Sequence, residues 1–256
     1  MATALFVPSP TPTSSVFESA YFKSLLKKWD MLRGTQYLLF RYSKFYHKMQ
    51  AQELVMDLLN SQAGTFKVLQ KDGSWSPLLE TVESVQVEMV PATLTRLDVF
   101  DKLLSASPPI VRPSGDISKC FDDQKEGFQI SDLLRELILN EDSDNAELYS
   151  SEEKCEMLWR VFEHVCLGGP CCQFEDKLEP YLDSVKKLYK ELLSVHKNTT
   201  GALEVASSVY KLTSFTTQSG AVNLFPSTSR NNFCYVTVDP ARRVCRIWYH
   251  GFSTFW

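Results

Sequence analysis

The chain has 256 residues, 44% of them hydrophobic, which is enough apolar material for a substantial core. Its formal net charge of -4 excludes a generally basic nucleic-acid binder. No run approaches the roughly twenty apolar residues of a membrane span, so no membrane insertion is expected.

The first sixteen residues are rich in Pro, Ser and Thr and read as disordered. They show neither the positive region nor the long apolar run of a secretory leader. Phe17, Tyr21, Leu25 and Trp29 recur at four-residue steps and predict a first helix, which Gly34 closes. The aromatic and aliphatic stretch from Gln36 to Tyr46 reads as a strand. A short helix is expected around Leu54, Val55, Leu58 and Leu59. Lys71-Asp72-Gly73-Ser74 marks a hairpin, because Asp-Gly supplies the positive φ of a tight turn. Val85, Val87 and Met89 alternate with polar neighbours as a strand. Leu94 to Leu104 reads as helical, and 105–116 is a loop holding Pro108, Pro109 and Pro113. That loop is also where the chain would divide if residues 17–256, read as a single α+β domain, contained two subdomains.

Ser131-Asp132 caps a helix that runs through Leu139 and ends at the acidic Glu141-Asp142-Ser143-Asp144 loop. From Ser151, read as an N-cap, Cys155, Leu158, Trp159, Phe162, Val165 and Cys166 share one apolar stripe of a helix. Gly168 and Gly169 stop it, and Pro170 cannot continue it. Phe174 to Leu192 carries a further helical pattern in which Pro180 marks a kink or a start. Its Lys186, Lys187 and Lys190 form a solvated face. Leu203 to Thr213, Phe233 to Val238 and Val244 to His250 are strand-like. The last two pair across Asp239-Pro240-Ala241-Arg242-Arg243, where Asp then Pro favours a type I turn. Helices and strands without regular alternation make the fold class α+β, a mixed or antiparallel sheet packed with several helices.

Chemistry-bearing side chains crowd only at His164 to Cys172, which hold three of the seven cysteines and one of the four histidines. His164 and Cys166 are two apart and point to different sides of a helix, and no CxxC or HxxxH pair occurs. Packed, reduced thiols are therefore favoured, with no metal and no cofactor. The sharper alternative is a cytosolic thiol- or metal-dependent enzyme centred on His164, Cys166 and Cys172, with His250 as a second candidate base. Charge is also unevenly spread. Seven Lys or Arg face two acids between Glu18 and Gln50, and twelve Asp or Glu face three basic residues between Asp122 and Leu158. Partner contacts are assigned to the acidic Glu141, Asp142 and Asp144 and to the basic turn residues Arg242 and Arg243. The basic N-terminal region admits another reading, a microtubule-associated structural component.

The blocks Ile130–Ser143, Phe162–Asp176, Pro180-Tyr181-Leu182, Leu193-Ser194-Val195 and Phe233–His250 resemble the cilia- and flagella-associated protein 300 family in order and spacing. The likeness is strongest over about 128–252. It implies a non-catalytic protein of the cytoplasm and cilium or flagellum that acts in assembly or transport of outer and inner axonemal dynein arms. Dynein arm assembly factors and the intraflagellar transport machinery are the partners it implies.

Overall fold

The structure is a computed structural model that describes residues 5–12, 15–43, 45–61 and 64–253. Its strands are β1 (Phe6–Pro8), β2 (Thr35–Tyr42), β3 (Lys67–Leu69), β4 (Trp75–Pro77), β5 (Val82–Val90), β6 (Lys119–Lys125) and β7 (Phe128–Asp132). They continue with β8 (Val195–Lys197), β9 (Leu203–Val205), β10 (Ser208–Thr217), β11 (Gly220–Ala221), β12 (Phe233–Asp239) and β13 (Val244–His250). The helices are α1 (Ala20–Lys28), α2 (Ala51–Ser61), α3 (Lys102–Ser105), α4 (Leu133–Leu139), α5 (Ser151–Cys155), α6 (Met157–Leu167) and α7 (Glu179–Leu192). This is the α+β class expected.

One antiparallel sheet organises the molecule in the order β1-β2-β13-β12-β10, with β10 continuing to both β5 and β11. Every residue of β12 is buried, and its side chains divide between the two faces with the period of two that a strand imposes. Phe233 and Tyr235 join a core that includes Trp248 and side chains of α1, α4, α6 and α7. Cys234, Val236 and Val238 point the other way, into a second core with Cys245, Ile247, Tyr249 and the apolar face of α2. Strands covered on both faces read as nearly continuous apolar runs, which is why FCYVTV was legible as a strand.

Several elements differ from expectation. Phe6–Pro8, inside the segment read as disordered, pairs with Phe40–Tyr42 as an edge strand, and Phe6 is fully buried. The helix expected over Leu94 to Leu104 is only a 3-10 turn (Asp98–Asp101) followed by α3, because residues 91–97 form no regular element and are tied to α6 and α7. Met157 N–H donates to Pro91 O and Tyr189 hydroxyl to Leu94 O. The loop 105–116 is not a bare connector, since Ala106, Ile110 and Val111 sit in the first core. The stripe read from Ser151 breaks at Glu156, whose extended backbone separates α5 from α6. Glu156 caps the 91–97 segment instead, accepting from Thr93 N and Oγ1 at 2.9 and 2.6 Å. Cys155, expected on the buried stripe, is consequently exposed. The N-cap of α5 is Ser150, which forms a capping box with Glu153, rather than Ser151. α7 begins at Glu179 with Pro180 in its first turn, so Pro180 starts the helix rather than kinking it.

Candidate functional site

The cysteine-rich bend is built by close backbone approach. α6 ends at Gly168 with φ of 65°, and Gly169 N–H donates to Trp29 O at 2.8 Å. A Cβ on Gly168 would lie 2.7 Å from Trp29 O, and one on Gly169 would lie 2.2 Å from Asp30 O. Both glycines are therefore required by the neighbouring chain as well as by the helix stop. Asp30 closes the contact by accepting from Cys171 N at 2.9 Å.

Within this bend the histidine is fully employed. His164 Nδ1 lies 2.6 Å from Asn231 Oδ1, and Nε2 lies 2.8 Å from the Tyr235 hydroxyl. An Oδ1 only accepts, so Nδ1–H donates, and in the neutral ring that burial favours Nε2 accepts from Tyr235. Burial pushes the imidazole well below its ordinary range, in the same direction. Asn231 also donates to Gly168 O at 2.7 Å and to His164 O at 3.3 Å, the latter shared with the Gly168 N–H, so its amide secures the end of α6. The thiols of Cys166 and Cys172 are held protonated. Burial pushes Cys166 well up and Cys172 up to about 12. Among the described residues no three His, Cys, Asp or Glu side chains are grouped to share an ion.

Arg135, overlooked at the sequence level, is what ties the bend to its neighbours. Only 1% exposed, it forms a buried ion pair with Asp132. Its Nη2 donates to Cys166 O at 2.9 Å and to the Tyr181 hydroxyl at 2.7 Å, and its guanidinium stacks 3.3 Å from the Phe174 ring centroid. Asp132 also accepts from Arg135 N, so the residue read as a helix cap is half of a buried pair. A lone arginine in an amphipathic helix gives no signal of this.

The residues assigned to partner contact fall on separate surfaces. Glu141, Asp142 and Asp144 are exposed on their loop, and Glu141 lines a narrow cavity of about 100 Å³ with Lys154, Arg160 and Arg230. Arg242 and Arg243 are exposed on the β12–β13 turn, where Arg243 has φ of 52°. The turn is held by Arg242 N donating to Asp239 Oδ1 at 3.0 Å. Arg242 opens onto a groove of about 640 Å³ between the 95–97 segment, α7 and the β8–β9 ribbon. Its floor holds Leu97, Leu158, Leu193, Val195 and Leu203. Arg96, Lys186, Lys190 and Arg242 supply its charge, and among the described residues no carboxylate lines it.

The groove follows from local sequence. Lys186 and Lys190 are four apart on α7 and stand on one face beside Tyr189. Val195 and Leu203, 49% and 52% exposed, belong to a two-stranded ribbon with Val195 opposite Val205 and Lys197 opposite Leu203. Glu204 alternates to the other face of that ribbon, where it pairs with Asn198 at 2.6 Å. The face read as merely solvated therefore borders apolar surface. Only the alternation of Leu203, Glu204 and Val205 hinted at it.

A sequence model described as Cilia- and flagella-associated protein 300 matches residues 3–250. The chain belongs to the cilia- and flagella-associated protein 300 family. It is 51% identical to Cilia- and flagella-associated protein 300 of Chlamydomonas reinhardtii over 254 residues, covering 98% of this chain and 99% of that protein. The protein of the same description from Paramecium tetraurelia is 27% identical over 237 residues, covering 91% of this chain and 88% of the relative. No solved structure matches the chain. Family membership makes it a protein of the cilium or flagellum, and none of its described helices is long and apolar enough to cross a membrane.

Proposed function

We propose that this family member is a non-catalytic adaptor that acts in assembly or transport of the outer and inner dynein arms of the axoneme. Its working contacts are with dynein arm assembly factors and intraflagellar transport proteins. The observation that carries this reading is the division of side chains. At the His164–Cys172 bend the histidine is buried and hydrogen-bonded and Cys166 is buried, with Cys171 alone exposed, whereas the groove's cations and its aliphatics Val195 and Leu203 face outward. Proteins that work by recognition concentrate their free apolar and guanidinium groups in this way.

The test is loss of the gene in a flagellated cell, followed by electron microscopy of the axoneme. Missing dynein arms on an intact microtubule scaffold support the reading, and a full set of arms removes it. The thiol-enzyme alternative makes a different demand: one abnormally fast cysteine in the native protein. Native thiol titration is expected to find the exposed Cys155 and Cys171 reactive and Cys166, Cys234 and Cys245 protected until unfolding. Fast modification of Cys166 or Cys172 would reinstate the enzyme.

A further inference from the structure

We infer that the groove between the 95–97 segment, α7 and the β8–β9 ribbon takes an acidic amphipathic segment of a protein partner. The inference rests on the adaptor reading and deepens it by naming the partner's chemistry. Two independent features point the same way. The first is charge: among the described residues four cations and no carboxylate line the groove. Among the described residues Arg96, Lys186 and Lys190 have no ion-pair or hydrogen-bond partner. Among the same residues the Arg242 side chain reaches only Asp239, at 3.8 Å. The nearby acids are turned to other tasks, Asp183 to Lys187 at 3.0 Å and Glu204 to the far side of the ribbon.

The second feature is apolar. Val195 and Leu203 lie half exposed on the groove side of a ribbon only three residues per strand, which is not paired with the main sheet. Two-stranded ribbons are marginal without a packed face. The buried Leu158 and Leu193 continue this surface inward as the groove floor. An occupant that inserts aliphatic side chains between the ribbon and α7 while setting carboxylates against Lys186, Lys190, Arg96 and Arg242 meets both demands. A basic or uncharged amphipathic segment meets only one.

The test uses the full chain and fluorescence anisotropy with three labelled peptides of about eighteen residues, five helical turns. One carries Leu at i, i+4 and i+7 with Glu on the remaining face, one replaces Glu by Lys, and one is Glu without Leu. Binding of the Leu/Glu peptide with affinity at least about tenfold above the other two is expected, weakening with salt. The variant Lys186→Glu, Lys190→Glu, Arg242→Gln should lower that affinity at least about tenfold, and Leu203→Asp should do the same. Arg242 is neutralised rather than reversed because a carboxylate there would face the buried Asp239. Circular dichroism and urea unfolding check that both variants keep the fold. Absence of binding at about 100 μM, equal binding of the Lys peptide, or retained affinity in both variants overturns the inference. So does capture of anionic vesicles in place of peptide, or self-association of the wild-type chain that Leu203→Asp abolishes, which assigns the face to a second copy. A gene-loss cell that keeps its arms sinks the adaptor reading alone. A triple variant that binds no peptide yet restores arms sinks the groove assignment alone.

Discussion

The cysteine-rich bend and the basic groove invert what their residue types suggest. The bend and its neighbours hold histidine, thiols, a carboxylate and a guanidinium, yet His164, Cys166, Asp132 and Arg135 are buried, and the histidine, carboxylate and guanidinium are consumed in bonding. The groove is made from ordinary lysines, arginines and aliphatics, yet Arg96, Lys186, Lys190, Val195 and Leu203 stand outward. A residue's chemistry becomes available only when the fold leaves it unpaired and accessible. By that measure the groove, and not the bend, is the free surface.

The comparison can be broken most forcefully at Arg135. If the bend is framework, Arg135→Ala leaves Asp132 buried without its counter-charge and should lower stability by about 3–5 kcal/mol. Urea unfolding followed by circular dichroism measures it, and a change near zero would mean that the bend is not structural. Acid offers a second, somewhat smaller lever. Burial pushes His250 from 6.5 down to about 3, and His164 moves in the same direction. A lowered folded value means that the unfolded chain binds more protons below pH 6.5. Stability is therefore complete above that pH and falls as pH drops from 6.5 toward 3. His250 alone gives a loss of about 1.4 kcal/mol per pH unit, or about 2 kcal/mol between pH 6.5 and 5. Unfolding midpoints across that range should show this slope, and replacing His250 and His164 by Gln should reduce it. The smallest effect is expected in the groove. Lys186→Glu with Lys190→Glu touches no bonded group and should shift stability by less than about 0.5 kcal/mol. A larger loss would show that the rim is structural after all.

Sequence alone went furthest where one periodicity sets the outcome. β12 and β13 were legible because both faces are buried and their turn contains Asp239-Pro240. α4 and the stop at Gly168 were legible because caps and glycines act locally. The failures came where distant segments decide. Glu156 breaks an unbroken apolar stripe because its carboxylate is needed by Thr93, 63 residues away. Phe6 escapes the disorder expected of its Pro- and Ser-rich setting because β2 offers an open edge. The reading of the bend as buried packing came from spacing, but Asn231 and Tyr235, which hold His164, lie 67 and 71 residues downstream. Of the partner-contact residues read from charge, Arg242 lies on the groove, whereas the acidic loop lines a different cavity. Lys186 and Lys190 were passed over because a lysine face beside apolar surface looks in sequence like any solvated helix.

The most direct measurement is rescue of a flagellated cell lacking this protein with the Lys186→Glu, Lys190→Glu, Arg242→Gln chain. It is read by electron microscopy of the axoneme at matched protein level. The account predicts stable protein and axonemes still missing dynein arms, while the wild-type chain restores them. Full restoration by the variant would contradict the account.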